Sequence, residues 1–291
     1  MRARRFANIL PARPLLARPL LAAAFVGLSA LLALPAAGLA RGSSFDATYG
    51  IWVAGFPVGE ADVTSSSDGR RYEISVQARL VGLAGLITDG RGAATATGRV
   101  DGERVSPASF AVNSASSRAS RTVRMGLSGG SVSAVEILPP LPEHPDRVPV
   151  RSAHRRGVVD PVSAFLFPAR GRLATTDPGQ CDRTIPVFDG ASRFDIVLSY
   201  GGERQLDKPG YSGTVLICEA RFRAVSGHRE GKEAVRFMED NRDMAVWLAP
   251  VEDSRVLLPM RIEVRTQIGM SIIEASRVSI DGGGVARRAS N

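Results

Sequence analysis

The stretch Arg71-Tyr72-Glu73-Ile74-Ser75-Val76-Gln77-Ala78-Arg79-Leu80 alternates without a break. Tyr72, Ile74, Val76, Ala78 and Leu80 share one face, and Arg71, Glu73, Ser75, Gln77 and Arg79 share the other. A period of two marks a β-strand, and a wet second face marks a sheet of the antiparallel kind, since parallel sheets are covered on both sides. The same pattern extends in both directions. Upstream, Phe45, Ala47, Tyr49, Ile51 and Val53 alternate until Gly55-Phe56-Pro57-Val58-Gly59 turns the chain into a second strand around Ala61 and Val63. Downstream, strands are expected at 92–100, 105–113, 119–127 and 131–138, with turn signals at Asp101-Gly102 and Gly129-Gly130.

The alternation stops between Leu138 and Gly157. Pro139, Pro140, Pro142, Pro145 and Pro149 exclude a central strand, so this segment reads as a long crossing loop. Asp160-Pro161-Val162-Ser163-Ala164-Phe165-Leu166-Phe167 follows, with an acidic N-cap and a proline in the first helical position, and predicts one short helix over the end of the sheet. Strands resume at 184–189, 192–200, 213–225, 233–239, 243–249, 256–268 and 270–280. The expected fold is all-β: a large antiparallel sheet curled into an open barrel or half-barrel, with one short helix. Residues 41–280 form a single β domain in this reading, and 281–291, rich in glycine and arginine, a frayed tail.

The first forty residues differ in kind. Arg2, Arg4, Arg5, Arg13 and Arg18 precede an uncharged apolar run from Pro19 to Ala40, and no acid interrupts them. A basic start, an apolar core and small residues at Gly38-Leu39-Ala40 give the layout of a secretory signal peptide, with cleavage between Ala40 and Arg41 and a periplasmic destination. An uncleaved anchor is the alternative reading, and Pro35 with the Ala/Gly-rich end argues against it. No later stretch is apolar for long enough to span a membrane as a helix. The formal net charge of +8 includes the five leader arginines, so removing them leaves +3 and withdraws the main support for nucleic-acid binding.

Cys181 and Cys218 are the only cysteines, and both lie in the exported part. An oxidising compartment makes a disulfide the default reading. If the strands at 184–189, 192–200 and 213–225 form a simple meander, the first and third stand about 10 Å apart. That is beyond disulfide reach, which ends near a Cα separation of about 7 Å. Either Cys181 bends out of the sheet, or those strands are direct neighbours.

Chemistry-bearing motifs are few. His144, His154 and His228 occur in no HExxH, no metal-ligand pair at i,i+4 and beside no nucleophile motif. Gly210-Tyr211-Ser212-Gly213 lacks the second glycine of a nucleophile elbow, because Thr214 stands there. No phosphate-binding glycine loop is present. The acid pairs Glu239-Asp240 and Glu252-Asp253 fall at expected turns. No catalytic, cofactor-binding or metal-binding residue is assigned, and no cofactor. Arg151, Arg155 and Arg156, with His154, form a basic cluster suited to an anionic headgroup or glycan; a solvated loop is the plainer reading.

Several segments together resemble the bacterial envelope family named domain of unknown function 3108. They are Tyr49 to Gly59 with its Gly-x-Pro-x-Gly turn, Pro107 to Phe110, Asp160-Pro161-Val162-Ser163-Ala164, Asp189-Gly190 before Phe194-Asp195, Cys218, and Leu258-Pro259 running to Gly269. The resemblance implies an exported antiparallel β protein of Gram-negative bacteria without assigned activity. It carries over no catalytic residue; Asp160 and Ser163 match its most recognisable motif, and an N-cap with a helix N-terminus accounts for both. Two functions follow as expectations. The first is a non-enzymatic binder holding a lipid-like or envelope ligand on an apolar concave face. The second is an envelope structural or assembly partner that uses a sheet edge or the proline-rich loop. A hydrolase is a third, and needs a histidine to converge with a serine or carboxylate.

Overall fold

The structure, a computed structural model, describes residues 43–281 apart from 88, 118, 172–173 and 252–254. The expected leader and its Ala40/Arg41 cleavage site lie outside the described residues, as does the expected tail beyond Asp281. The first half of the sheet is a meander of β1 (Ser43–Val53), β2 (Phe56–Ser67), β3 (Arg71–Leu80), β4 (Arg91–Asp101), β5 (Arg104–Ala115), β6 (Ser120–Ser128) and β7 (Ser131–Leu138). The second half contains β8 (Phe167–Pro168), β9 (Arg183–Phe188), β10 (Arg193–Lys208), β11 (Tyr211–Ser226), β12 (Met244–Pro250), β13 (Val256–Thr266) and β14 (Gly269–Asp281). All of these belong to one antiparallel sheet in the order β7-β6-β5-β4-β3-β2-β1-β14-β13-β12-β11-β10-β9, with β8 set against β13. Every neighbouring pair along that path is consecutive in sequence except β1 with β14, so two meanders are sewn together by the terminal strands.

The all-β, antiparallel, unclosed sheet is the architecture expected from the alternation, and the helical elements are placed differently. Asp160 does cap its segment, but the chain makes only a single 3-10 turn at Ser163–Phe165 before Leu166 turns extended and Phe167 pairs with Leu257. Pro168 disfavours a helical Phe167, and β13 offers that residue strand hydrogen bonds instead. Residues 233–239, read as a strand, form helix α2 (Glu233–Asp240). Val235 and Met238, three apart, are half-buried, and Met238 packs on the core of the second half. A further helical turn, α1 (Gly82–Ile87), joins β3 to β4.

The core follows the alternation. Tyr72 and Ile74 of β3 are buried, as are their cross-strand neighbours Gly98 and Ala96 on β4, and beyond them Phe110 on β5 and Met125 on β6. The segment between β7 and β9, here called the strap, contributes Val158, Val162 and Leu166 to this cluster, and β9 contributes Phe188. The second half packs Leu198, Leu216, Ala220, Val246, Leu248 and Leu257 around Phe167. At the tip of the long β10-β11 hairpin, Val278 N–H donates to the Pro209 carbonyl at 3.0 Å, and Lys208 pairs with Glu274 at 3.2 Å. There Gly210 is required: its φ is +89°, and a Cβ would lie 1.7 Å from the Val278 carbonyl oxygen.

The cysteines take the first of the two arrangements left open by the sequence. β9 and β11 are separated by β10, and Cys181 stands off the sheet in the 3-10 turn Pro178–Cys181. That turn brings it to disulfide distance from Cys218 on β11, with a Cα separation of 5.3 Å.

Candidate functional site

The strap organises the surface on which the sequence-derived candidates fall. It leaves the end of β7 through Pro139 and Pro140 and meets the end of β11, where Val148 N–H donates to the His228 carbonyl at 2.9 Å and Gly227 N–H to the Val148 carbonyl at 2.8 Å. It then makes a 3-10 turn at Ser152–Arg155. Over the next few residues it touches both edges of the sheet. Arg156 forms an antiparallel bridge with Ser131 of β7, and Val159 a parallel bridge with Val187 of β9. One extended stretch of the chain thereby bridges to both edges of a sheet whose edges do not pair with each other.

A buried relay fixes that stretch. Asp160 and Ser163 are fully buried, and Tyr72 nearly so. One Asp160 oxygen, Oδ1, accepts from the backbone N–H groups of Val162 at 3.0 Å and Ser163 at 2.9 Å, and the other, Oδ2, accepts from Ser163 Oγ at 2.5 Å. Because the Ser163 proton goes to the carboxylate, its oxygen is left to accept from Tyr72 Oη at 2.7 Å. Gly98 lies directly across from Tyr72, and a Cβ there would meet the tyrosine hydroxyl at 2.5 Å; the glycine makes room for the ring to reach the strap. Burial raises the Asp160 pKa above the usual aspartate value against the pull of the hydrogen bonds, and burial likewise raises that of Tyr72. The relay is sealed beneath the strap, so Asp160 and Ser163 anchor and do not offer a nucleophile to solvent. Sequence reasoning placed Asp160 at an N-cap and Ser163 at a helix N-terminus; the structure has Asp160 accepting from two N–H groups ahead of a 3-10 turn whose own N-cap position is Val162, and Tyr72 and Gly98 were not found as partners. The only signal was an aromatic facing the core opposite a glycine.

A second anchor follows. Buried Gln180 accepts from Arg170 N–H at 2.7 Å and donates to the Ala174 carbonyl at 3.0 Å. Arg183 donates to the carbonyls of Gln180 at 2.9 Å and Pro168 at 3.1 Å and rests over the Phe167 ring; burial pulls its pKa down to about 10.

The histidines do not converge. His154 Nδ1 accepts from Arg151 N–H at 3.2 Å, His228 Nδ1 is buried without a hydrogen-bond partner, and His144 lies near the Asp146 carboxylate that Arg229 holds. Among the described residues none is hydrogen-bonded to a serine hydroxyl, and no three metal-ligating side chains cluster. Recesses are shallow: one of about 350 Å³ includes Asp62, Gln77, Ala93 and Asn113, a cross-strand row on the outer face of β2 to β5, and another of about 380 Å³ lies over β5 to β7.

What remains open is an edge and a charge. Past Ser131, β7 has no strand on its outer side among the described residues, and Ser133, Ala134, Glu136 and Leu138 are exposed. Beside the start of that edge stand Arg151, Arg155 and Arg156, all exposed and none in an ion pair among the described residues; Arg155 lies over the Phe188 ring at 5.9 Å.

Comparison with known proteins agrees with this picture and adds no activity. The profile of a family described as "Protein of unknown function (DUF3108)" matches residues 44–275. No curated protein matches. Among solved structures, a beta-barrel-like protein of domain of unknown function DUF1849 from Brucella abortus superposes with a TM-score of 0.51 at 10% identity, over 82% of this chain and 98% of that one. That likeness concerns the fold.

Proposed function

Since the chain belongs to the family of proteins of unknown function DUF3108, we propose that it is an exported, non-enzymatic module of the cell envelope that recognises a protein partner along the open edge of β7; among the described residues no histidine converges with a serine and no metal-ligating side chains cluster. The observation that carries this reading is the edge itself: beyond Ser131 the outward backbone donors and acceptors of β7, the last strand of a thirteen-strand path, have no strand beside them among the described residues. Export is supported by the leader layout and by the cysteine pair at disulfide distance. No helix among the described residues is long and apolar enough to cross a bilayer, a statement that concerns helices only. A lipid-like ligand on the concave face competes with Val158, Val162, Leu166 and Phe188, which already pack there.

Photo-crosslinkers at Ser133, Ala134 and Leu138, with Thr95 on the outer face as control, test the proposal in envelope preparations. The reading requires one defined adduct from the β7 positions, absent at Thr95 and displaced by a synthetic peptide of alternating valine and threonine. Equal labelling from Thr95, or adducts that the peptide leaves untouched, overturns it.

A further inference from the structure

We infer that the partner segment ends in acidic groups: an extended peptide, apolar at alternate positions, whose C-terminal end carries Glu, Asp or a free carboxylate. The inference rests on the edge reading above and goes past it in naming direction, pattern and charge.

Direction comes from the strap. Its bridge to β7 is antiparallel at Ser131↔Arg156, so an uninterrupted strap strand would place residues 155 and 154 opposite Val132 and Ser133. Those residues turn away into the 3-10 turn Ser152–Arg155, and the position they vacate along the edge is the one a guest strand takes up. In a sheet whose strand pairs are antiparallel throughout, the guest runs from Leu138 toward Ser133 and brings its C-terminal end against Arg156. Pattern comes from the strand. Val132, Val135 and Ile137 pack against the first core cluster, so guest residues on that face continue an apolar row, while those beside Ala134 and Glu136 face water.

Charge comes from the turn. Arg151, Arg155 and Arg156 gather three guanidinium groups within six residues, with no carboxylate in ion-pair distance among the described residues. Some exposed strand arginines are matched, as Arg79 is by Glu60 and Arg124 by Glu136, and others such as Arg99 and Arg121 stand singly among the described residues; what sets the turn apart is three guanidinium groups gathered beside an open edge. Guanidinium groups bind carboxylates in a bidentate fork, which suits a chain end arriving in line.

The probe is a fluorescent nonapeptide of alternating valine and threonine ending in Glu-Glu. Controls are its Lys-Lys counterpart and a copy N-methylated at alternate backbone nitrogens. Fluorescence anisotropy against the mature protein is expected to show binding of the Glu-ended peptide, weakening about tenfold in R151E/R155E/R156E and falling with salt. The N-methylated copy is expected not to bind. Equal binding of the Glu- and Lys-ended peptides, with loss on N-methylation, overturns the acidic inference and leaves the edge reading intact. Binding that survives N-methylation overturns both. Failure of the Glu-ended peptide, with arginine-dependent binding to phosphatidylglycerol vesicles, overturns the inference and assigns the cluster to a membrane surface.

Discussion

Replacing Asp160 separates an anchor from a reactive group. In Asp160→Ala the N–H groups of Val162 and Ser163 lose their acceptor, and the Ser163 hydroxyl loses the partner that orders it. Loss of an N-cap costs about 1 kcal/mol, and each buried polar group left unmade about 1–3 kcal/mol. Relief of the buried carboxylate returns part of this, for a net loss of about 3 kcal/mol. Asp160→Asn keeps an acceptor for the two N–H groups. Its amide donates to Ser163 Oγ, and the serine proton then turns to Tyr72 Oη, so the relay runs backwards at a cost of about 1 kcal/mol.

The pH dependence carries a sign. The folded-state pKa of Asp160 is raised above its unfolded value, so its contribution is fully present below the unfolded pKa of about 4 and is lost as pH rises through the folded pKa. Asp68 and Asp146 are shifted downward and contribute in the opposite sense, so the diagnostic is the difference between wild type and Asp160→Asn. Urea unfolding from pH 3.5 upward is expected to show that difference shrinking as pH rises. A pH-independent difference, or an Asp160→Ala loss below about 1 kcal/mol, refutes the buried relay.

Three further outcomes follow from the same contacts. Gly98→Ala places a methyl against Tyr72 Oη and 2.6 Å from the Ser106 carbonyl oxygen, and is expected to lower stability by about 1–3 kcal/mol in thermal unfolding; an unchanged melting temperature counts against the Tyr72 placement. Cys181→Ser with Cys218→Ser is expected to cost about 4 kcal/mol in urea unfolding, and thiol labelling of the unreduced native protein should find no free cysteine. N-terminal sequencing of protein taken from the periplasm should begin at Arg41; a chain that keeps the leader contradicts cleavage.

Strands were legible because one face is wet. β3 to β6 alternate cleanly, and their ends fall within a few residues of those expected. α2 was not, since Ala234-Val235-Arg236-Phe237-Met238 satisfies short strand and helix patterns equally, and only its packing on the second core decides. Strand order was hidden as well: alternation gives each strand a face but no neighbour, and the β1-β14 seam joins chain positions more than 200 apart. At the site, Asp160 and Ser163 could be read as a cap because capping is local. Tyr72 could not be joined to them, because that contact depends on where the strap crosses the sheet. Arg151, Arg155 and Arg156 stood out as a basic run, but their place beside the β7 edge, with no acidic partner among the described residues, is a property of the fold.

Native mass spectrometry of the protein purified from the periplasm bears most directly on recognition at an edge in place of an interior cavity. The expected mass is that of residues 41–291 with one disulfide and no apolar adduct, because Val158, Val162, Leu166 and Phe167 of the strap already pack on the inner face. A stoichiometric lipid that survives purification would contradict the account.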